Sequence, residues 1–428
     1  MLNRRLFLQR TAATAAVTPL LGLAPALALD PEIESLASLP ADQYWKTVRK
    51  LFPMPADEVY FNTGTLGVQP KAVLEKVIAA MRDAAVNCAK TDYQGKGPLL
   101  LSGYEPYVDL RKKIAALINA SSYQEIALTQ NATYGMNYVS NGLDLRPGDE
   151  IINTDQEHGG GRAGWQVAAA RYGLVYKQAK LAVPANDPQE IIDSIMSQVT
   201  PKTRIIAIPH ILSLYGVILP VKEICRQARE RGIFTILDGA QAVGQIPVDV
   251  QDIGCDAYYS SLHKWLLAPA GNGILFLRKE VVKDVWTTLA SYQWENHDDE
   301  GFRFTQRGTG NPALIVGLEA AVDFHNQLGP RTVTNRIKFL GDYLRNGLRQ
   351  IPNVEIFSSI HPEMCAGITT YGIKGVKGVD LQNELWKRKK LQPRASAENA
   401  IRHSTHIYNL EHEIDAALEI VEDLAKRV

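Results

Sequence analysis

Between residues 59 and 278, short apolar runs alternate with segments of helical period, and this alternation restricts the fold more than any other feature of the chain. The runs cover residues 125–129, 150–154, 204–209, 234–237, 257–260 and 273–277. They are apolar along their length rather than at every second position, so both faces of the sheet they form must be covered. The intervening segments supply the cover; residues 221–231 read as one amphipathic helix, closed by Gly232. The expectation is an α/β domain over residues 59–304, with a mostly parallel sheet under helices on both faces. Near Thr305 the character changes. A turn, Gly308-Thr309-Gly310-Asn311-Pro312, leads into a long helix over 313–328. Strand-like runs at 354–357, 367–373 and 400–406 then mix with helices ending at 411–426. This reads as a smaller C-terminal α+β domain over 305–428, attached by a linking helix.

Charge and cysteine usage narrow the function. Lysine plus arginine and aspartate plus glutamate number 46 each, so no net charge draws the chain to nucleic acid or an anionic membrane. With 46% hydrophobic and 21% charged residues the composition is that of a folded globular protein rather than a disordered one. Cys88, Cys225, Cys255 and Cys365 are too few for a disulfide scaffold and show no CxxC spacing, so no metal site is expected.

Residues 1–28 read as an export signal. Arg4 and Arg5 precede a mildly apolar stretch, and Ala26-Leu27-Ala28 offers a small-x-small cleavage pattern. Pro19, Gly22 and Pro25 interrupt the stretch, which argues against a spanning helix of about 20 strongly apolar residues and hence against a stable membrane anchor. Asn3-Arg4-Arg5-Leu6-Phe7-Leu8-Gln9 resembles a twin-arginine signal, which implies passage of the folded protein through the Tat translocon to the periplasm. An N-terminal arm over 29–58 would follow.

In α/β sheets ligands sit beyond the carboxyl ends of the strands. Asp238 follows the run 234–237, and alone it reads as a helix N-cap. Lys264 leaves the run 257–260 into Trp265-Leu266-Leu267. It reads either as a lysine reaching for solvent or as an amine whose pKa is lowered by apolar surroundings. Together the two match what pyridoxal 5′-phosphate (PLP) requires: an amine for the aldehyde and a carboxylate for the pyridine nitrogen. Asn131-Ala132-Thr133 begins a helix after a strand, where free N–H groups form an anion site for a phosphate. Ser261 and His263 flank the lysine as further phosphate donors, and His158, before three glycines, can stack on a ring or simply occupy a loop.

These residues resemble, in order and over essentially the whole chain after residue 28, the class V aminotransferase family of fold-type I PLP-dependent transferases. That family includes cysteine desulfurases and isopenicillin N epimerase-like proteins. The resemblance runs through Asn62-Thr63-Gly64, Asn131-Ala132-Thr133, Glu157-His158, Asp238-Gly239-Ala240-Gln241, Ser261-Leu262-His263-Lys264, Gly308-Thr309 and Arg402-His403-Ser404. It implies that Lys264 carries the cofactor, that Asp238 partners the ring nitrogen and that His158 stacks on the ring. It further implies that Gln241 bonds the phenolic oxygen and that Ala132, Thr133, Ser261 and His263 hold the phosphate. Gly308 and Thr309 would reach the phosphate of a neighbouring subunit, making a homodimer with shared active sites. Arg402 would pair with a substrate α-carboxylate, and Asn62 would border the substrate.

Two departures bear on the reaction. Ser213 stands where many relatives carry Asn, and the stretch 391–402 has no cysteine where desulfurases place their persulfide-forming thiol. Arg394 stands in that stretch, as a candidate for a substrate acid group or as a solvated arginine. An exported member of this family is unusual, and the combination resembles the periplasmic PLP enzymes of pyoverdine maturation. It implies a substrate with a free α-amino acid end, the glutamyl side chain of a siderophore precursor, converted to a succinamide. An aminotransferase, epimerase or C–S lyase acting on another small amino acid, and more remotely a non-catalytic PLP-fold binding protein, are the alternatives.

Overall fold

The computed structural model describes residues 31–36, 38–88, 91–92, 99–100 and 105–428. The export signal expected over residues 1–28 lies outside the described residues. Among the described residues no helix is long and apolar enough to cross a membrane.

Seven strands make the central sheet: β1 (Ile126–Thr129), β2 (Glu150–Thr154), β3 (Val175–Ala179), β4 (Thr203–Pro209), β5 (Phe234–Asp238), β6 (Ala257–Ser261) and β7 (Gly273–Leu277). Their order is β1-β7-β6-β5-β4-β2-β3. The run β6-β5-β4-β2-β3 is parallel throughout, and β7 lies antiparallel to both β6 and β1. The mostly parallel sheet expected from the apolar runs is therefore present. Ile236, Ala257, Ile274 and Leu275 are fully buried in it, and an aliphatic side chain such as Ile236 contributes about 1.5–3 kcal/mol by leaving water. The helix Val221–Glu230 shows how the cover is made: Val221, Ile224, Cys225 and Ala228 form its buried stripe at helical spacing.

β3 was not among the expected strands. It is an edge strand, Val-Tyr-Lys-Gln-Ala, largely half-exposed, with no continuous apolar run to reveal it. Pairing makes it a strand: it lies in register with β2 from Glu150↔Val175 to Thr154↔Ala179, and Lys177 Nζ meets Glu150 Oε2 at 2.7 Å.

Beyond the sheet, helix Pro312–Leu328 breaks at Gly329 and resumes as Pro330–Leu348. A second sheet follows, of β8 (Val354–Ile356), β9 (Ile368–Ile373), β10 (Arg394–Ala397) and β11 (Ala400–Ser404), antiparallel in the order β8-β9-β11-β10. β10 is a short polar strand, Arg-Ala-Ser-Ala, formed by pairing along the edge of β11 rather than by any β-rich sequence of its own. Val59–Tyr60 pairs in parallel with Leu391–Gln392. That pairing brings the loop Asn62–Thr65 against β11, where Asn62 bridges to Ser404.

Candidate active site

A cavity of about 310 Å³ opens at the carboxyl ends of the central strands. It is walled by residues after β1 (Asn131, Ala132, Thr133), β2 (Glu157, His158, Gly160, Gly161), β4 (Ile211, Ser213), β5 (Asp238, Ala240, Gln241) and β6 (His263, Lys264). Arg394 and Arg402 of the second sheet and Gly64 and Thr65 of the N-terminal loop close it. The residues proposed from sequence to hold a cofactor thus converge, with the exceptions described below.

The floor is acidic. Asp238 ends β5, nearly buried, with Oδ1 accepting the Ala240 N–H at 2.8 Å. Burial raises its carboxyl, while the Ala240 N–H and the Lys264 charge favour the ionised form. Glu157 is buried beside it and accepts the His158 N–H at 2.9 Å. A Cβ on Gly161 would stand 2.7 Å from Glu157 Oε1 and 3.0 Å from Asp238 Oδ2, so only glycine leaves these carboxyls in place.

Lys264 follows β6. Burial is the main reason its amine is lowered to about 8; Asp238 pulls it up, and Arg402 and Arg394 push it further down. A buried amine with a substantial neutral fraction near neutral pH is a nucleophile. His158 caps helix Gly159–Tyr172, with Nδ1 accepting the Gly160 N–H at 3.1 Å. That bond places the ring proton on Nε2, and burial followed by the Lys264, Arg394, Arg402 and Arg162 charges lowers its pKa and keeps the ring neutral. Gln241 is held at both ends, Oε1 accepting from Trp265 Nε1 at 2.7 Å and Nε2 donating to the Gly64 carbonyl at 2.9 Å. One Nε2 hydrogen is left for a ligand oxygen.

At the phosphate end, Asn131 caps the helix Ala132–Gly142. The Ala132 N–H donates to Ser261 Oγ at 2.9 Å, so these two expected phosphate donors meet each other, and the Ser261 hydroxyl hydrogen is the one free to donate. Thr133 faces the cavity. His263 Nδ1 is buried without a hydrogen-bond partner, and its pKa is lowered to about 4, by burial and then by Lys264.

The opposite wall is cationic. Arg402 is almost wholly buried on β11; Nη1 donates to the Ser213 carbonyl at 2.7 Å, and Nη2 to Asn62 Oδ1 and Thr65 Oγ1 at 3.1 Å each. Its Nε has no partner. Burial, then Arg394, lowers it to about 10, while Tyr60 favours the charge. Arg394 is the cross-strand partner of Arg402 and donates from Nη1 to the same Thr65 Oγ1 at 3.2 Å. Two arginines directly opposite repel, and the groups between them are neutral oxygens.

The remaining expected residues lie elsewhere. Asn62 holds Arg402 and is not on the cavity wall. Gly308, with φ +79°, and the exposed Thr309 do not line the cavity of their own chain. Ser213 lines the cavity but contributes its carbonyl to Arg402. None of the four cysteines lines the cavity; Cys225, Cys255 and Cys365 are buried elsewhere and Cys88 is exposed. Sequence reasoning gave no role to Glu157 or Thr65, and read Gly161 only as one of three glycines that let backbone approach closely. Of Glu157 and Thr65, only Glu157 carried a signal, its place beside His158 in an ordered motif.

The residues present fit PLP. The cavity has a lowered amine, a carboxylate at its floor, a neutral imidazole on one wall and a buried imidazole nitrogen without a partner beside a helix N-terminus. Across from them stands a buried arginine with no carboxylate partner among the described residues.

Comparison with known proteins agrees. The aminotransferase class-V family profile matches residues 59–417. Isopenicillin N epimerase of Streptomyces clavuligerus is 29% identical over 398 residues, covering 89% of this chain and 98% of the relative. A cysteine desulfurase of Serratia proteamaculans is 31% identical over 356 residues, covering 76% of this chain and 82% of the relative. Among solved structures, a C-DES mutant with glycine covalently linked to its PLP cofactor superposes with a TM-score of 0.76 at 26% identity, covering 88% of this chain and 99% of that one.

Proposed function

This chain belongs to the class V aminotransferase family of PLP-dependent enzymes, and we propose that it acts at the α-carbon of a free α-amino acid end, on a small molecule or on a peptide. The observation that carries this reading is Arg402: a buried guanidinium with no carboxylate partner among the described residues, facing the cavity that holds Lys264 and Asp238. When bound, PLP supplies an aldehyde for the substrate amine and a pyridinium ring that accepts the electron pair released at the α-carbon. Asp238 keeps a proton at the ring nitrogen. Arg402 clamps the α-carboxylate, for which a planar fork of donors suits. Lys264 Nζ would hold the cofactor through its aldehyde and would move a proton at the substrate α-carbon. Neutral His158 covers the ring face.

The cross-strand arginines favour an amino acid with a second acidic or carbonyl group, because a ligand oxygen relieves the repulsion between Arg394 and Arg402. The substrate we put first is the glutamyl α-amino acid end of a pyoverdine-type siderophore precursor, converted with one dioxygen to a succinamide: carbon dioxide leaves, the α-carbon keeps its nitrogen and takes one oxygen atom of dioxygen as the amide carbonyl, and the other oxygen atom leaves as water. Incubating the enzyme with an immature acyl-peptide siderophore and with free glutamate, with and without dioxygen, then weighing the products, tests it. Unchanged masses would remove it. Transamination, epimerisation and C–S cleavage on another small amino acid use the same residues; the similarity to isopenicillin N epimerase favours an epimerase as second reading. Desulfuration by an enzyme thiol is disfavoured, because no cysteine faces the cavity.

The presence of both Lys264 and Asp238 argues against a non-catalytic binding protein. The purified protein should be yellow, with a band lost on borohydride treatment, and Lys264→Ala should abolish that response. A homodimer with shared sites is the reading we give to Gly308 and Thr309, which do not line the cavity of their own chain. Sedimentation of the purified protein tests the dimer. The twin-arginine motif supports periplasmic export of the folded, cofactor-loaded protein. Replacing Arg4 and Arg5 by lysine should leave it in the cytoplasm.

A further inference from the structure

Two carboxyls flank Gly161 at the cavity floor, and the reading above uses only Asp238. Glu157 is buried, lines the same cavity and stands across Gly161 from Asp238. Its Oε1 accepts the His158 N–H, which leaves Oε2 as the seat for a proton. The charged and titratable groups that face it are Asp238 and Arg162, with the Tyr176 and Tyr259 hydroxyls nearby. Burial and then Asp238 push the Glu157 carboxyl well above its usual range, and the His158 N–H and Arg162 oppose this without reversing it. Two negative charges side by side in a dry floor are costly, so one carboxyl keeps its proton. Asp238 is the one better placed to ionise, because it receives the Ala240 N–H and faces Lys264.

We propose that Glu157 is a positioning residue for Asp238: it keeps its carboxyl proton at neutral pH beside an ionised Asp238. A single negative charge then faces the seat of the pyridine nitrogen. Glu157 touches neither cofactor nor substrate in this role; it acts through Asp238, as a neutral donor that adds no charge to the floor. The proposal rests on the reading of this cavity as a PLP site.

The test uses the purified full-length protein stripped of cofactor. Infrared spectroscopy at neutral pH should show the carbonyl stretch of an un-ionised carboxylic acid that Glu157→Gln removes. PLP affinity, read from quenching of intrinsic fluorescence, should fall about tenfold in Glu157→Ala, the loss expected for one hydrogen bond to a charged group. Glu157→Gln, neutral and a donor, should recover most of that loss. A Glu157 that merely fills space would give no acid band and no recovery by a donor. If wild-type protein binds PLP but the acid band is absent or survives Glu157→Gln, or if Gln is no better than Ala, this proposal falls alone. If the wild type takes up no PLP, the functional reading falls and this proposal with it.

Discussion

At one end of the cavity Asp238 and Glu157 stand at and beyond the ends of β5 and β2, on either side of β4 in the central sheet. At the other, Arg402 and Arg394 project from adjacent antiparallel strands of the second sheet and are tied down by the loop Asn62–Thr65. The floor is set by one parallel sheet, whose strand ends converge whatever the rest of the chain does. The wall exists only because three distant segments meet. Cofactor capture should therefore depend on the first region and substrate recognition on the second, the arginines reaching the first through their charge on Lys264 and His158.

Arg402→Ala is the strongest way to break that division. Truncating one partner of a buried, hydrogen-bonded charge pair costs about 2–5 kcal/mol, so kcat/KM should fall by roughly 30- to 5,000-fold. The yellow band and PLP affinity should hardly change; a colourless Arg402→Ala protein would show that the two ends are not separable. Gly161→Ala attacks the floor from the other side. Its Cβ would press on Glu157 and Asp238, an overpacking cost of about 1–3 kcal/mol, so PLP affinity should drop about tenfold or more. Equilibrium titration of the cofactor-free variant measures this.

Arg394→Ala should be milder. Its exposed side chain bonds Thr65 from outside the buried clamp, so KM for an acidic amino acid should rise only about three- to tenfold. KM for a neutral one should not change, and an equal rise for both would deny Arg394 a substrate role. The smallest effect concerns pH. The reactive form of Lys264 is the neutral amine, so the rate of PLP uptake should increase as pH rises through about 8 and level off above it. Asp238 holds this amine up, so Asp238→Asn should move the midpoint to lower pH. Stopped-flow absorbance across the pH range reads both; a midpoint that moved up would contradict the charge arrangement at the floor.

Much of the floor was legible in the sequence because each of its residues follows a recognisable apolar strand: Asp238 after Thr235-Ile236-Leu237, Lys264 after Tyr258-Tyr259-Ser260. Glu157 could be read only as part of a motif, since its role comes from Asp238, some 80 residues away. β3 and β10 escaped because edge strands are polar and owe their form to a neighbour's hydrogen bonds. Thr65 carried no signal at all. A threonine that bridges two arginines looks like any other until β10, β11 and the N-terminal loop are assembled.

The sequence by itself determined the α/β class, the inner strands of the central sheet and the amine and carboxylate, Lys264 and Asp238, that the structure places on one cavity. Those features follow from local apolar periodicity and from the rule that parallel strands end on one side. Only the tertiary structure decided that Arg394 lies opposite Arg402, that Ala132 and Ser261 satisfy each other, and that Glu157 shares Asp238's dry floor. These are contacts between residues far apart in the chain. Their energies depend on distance and burial, which no local pattern encodes.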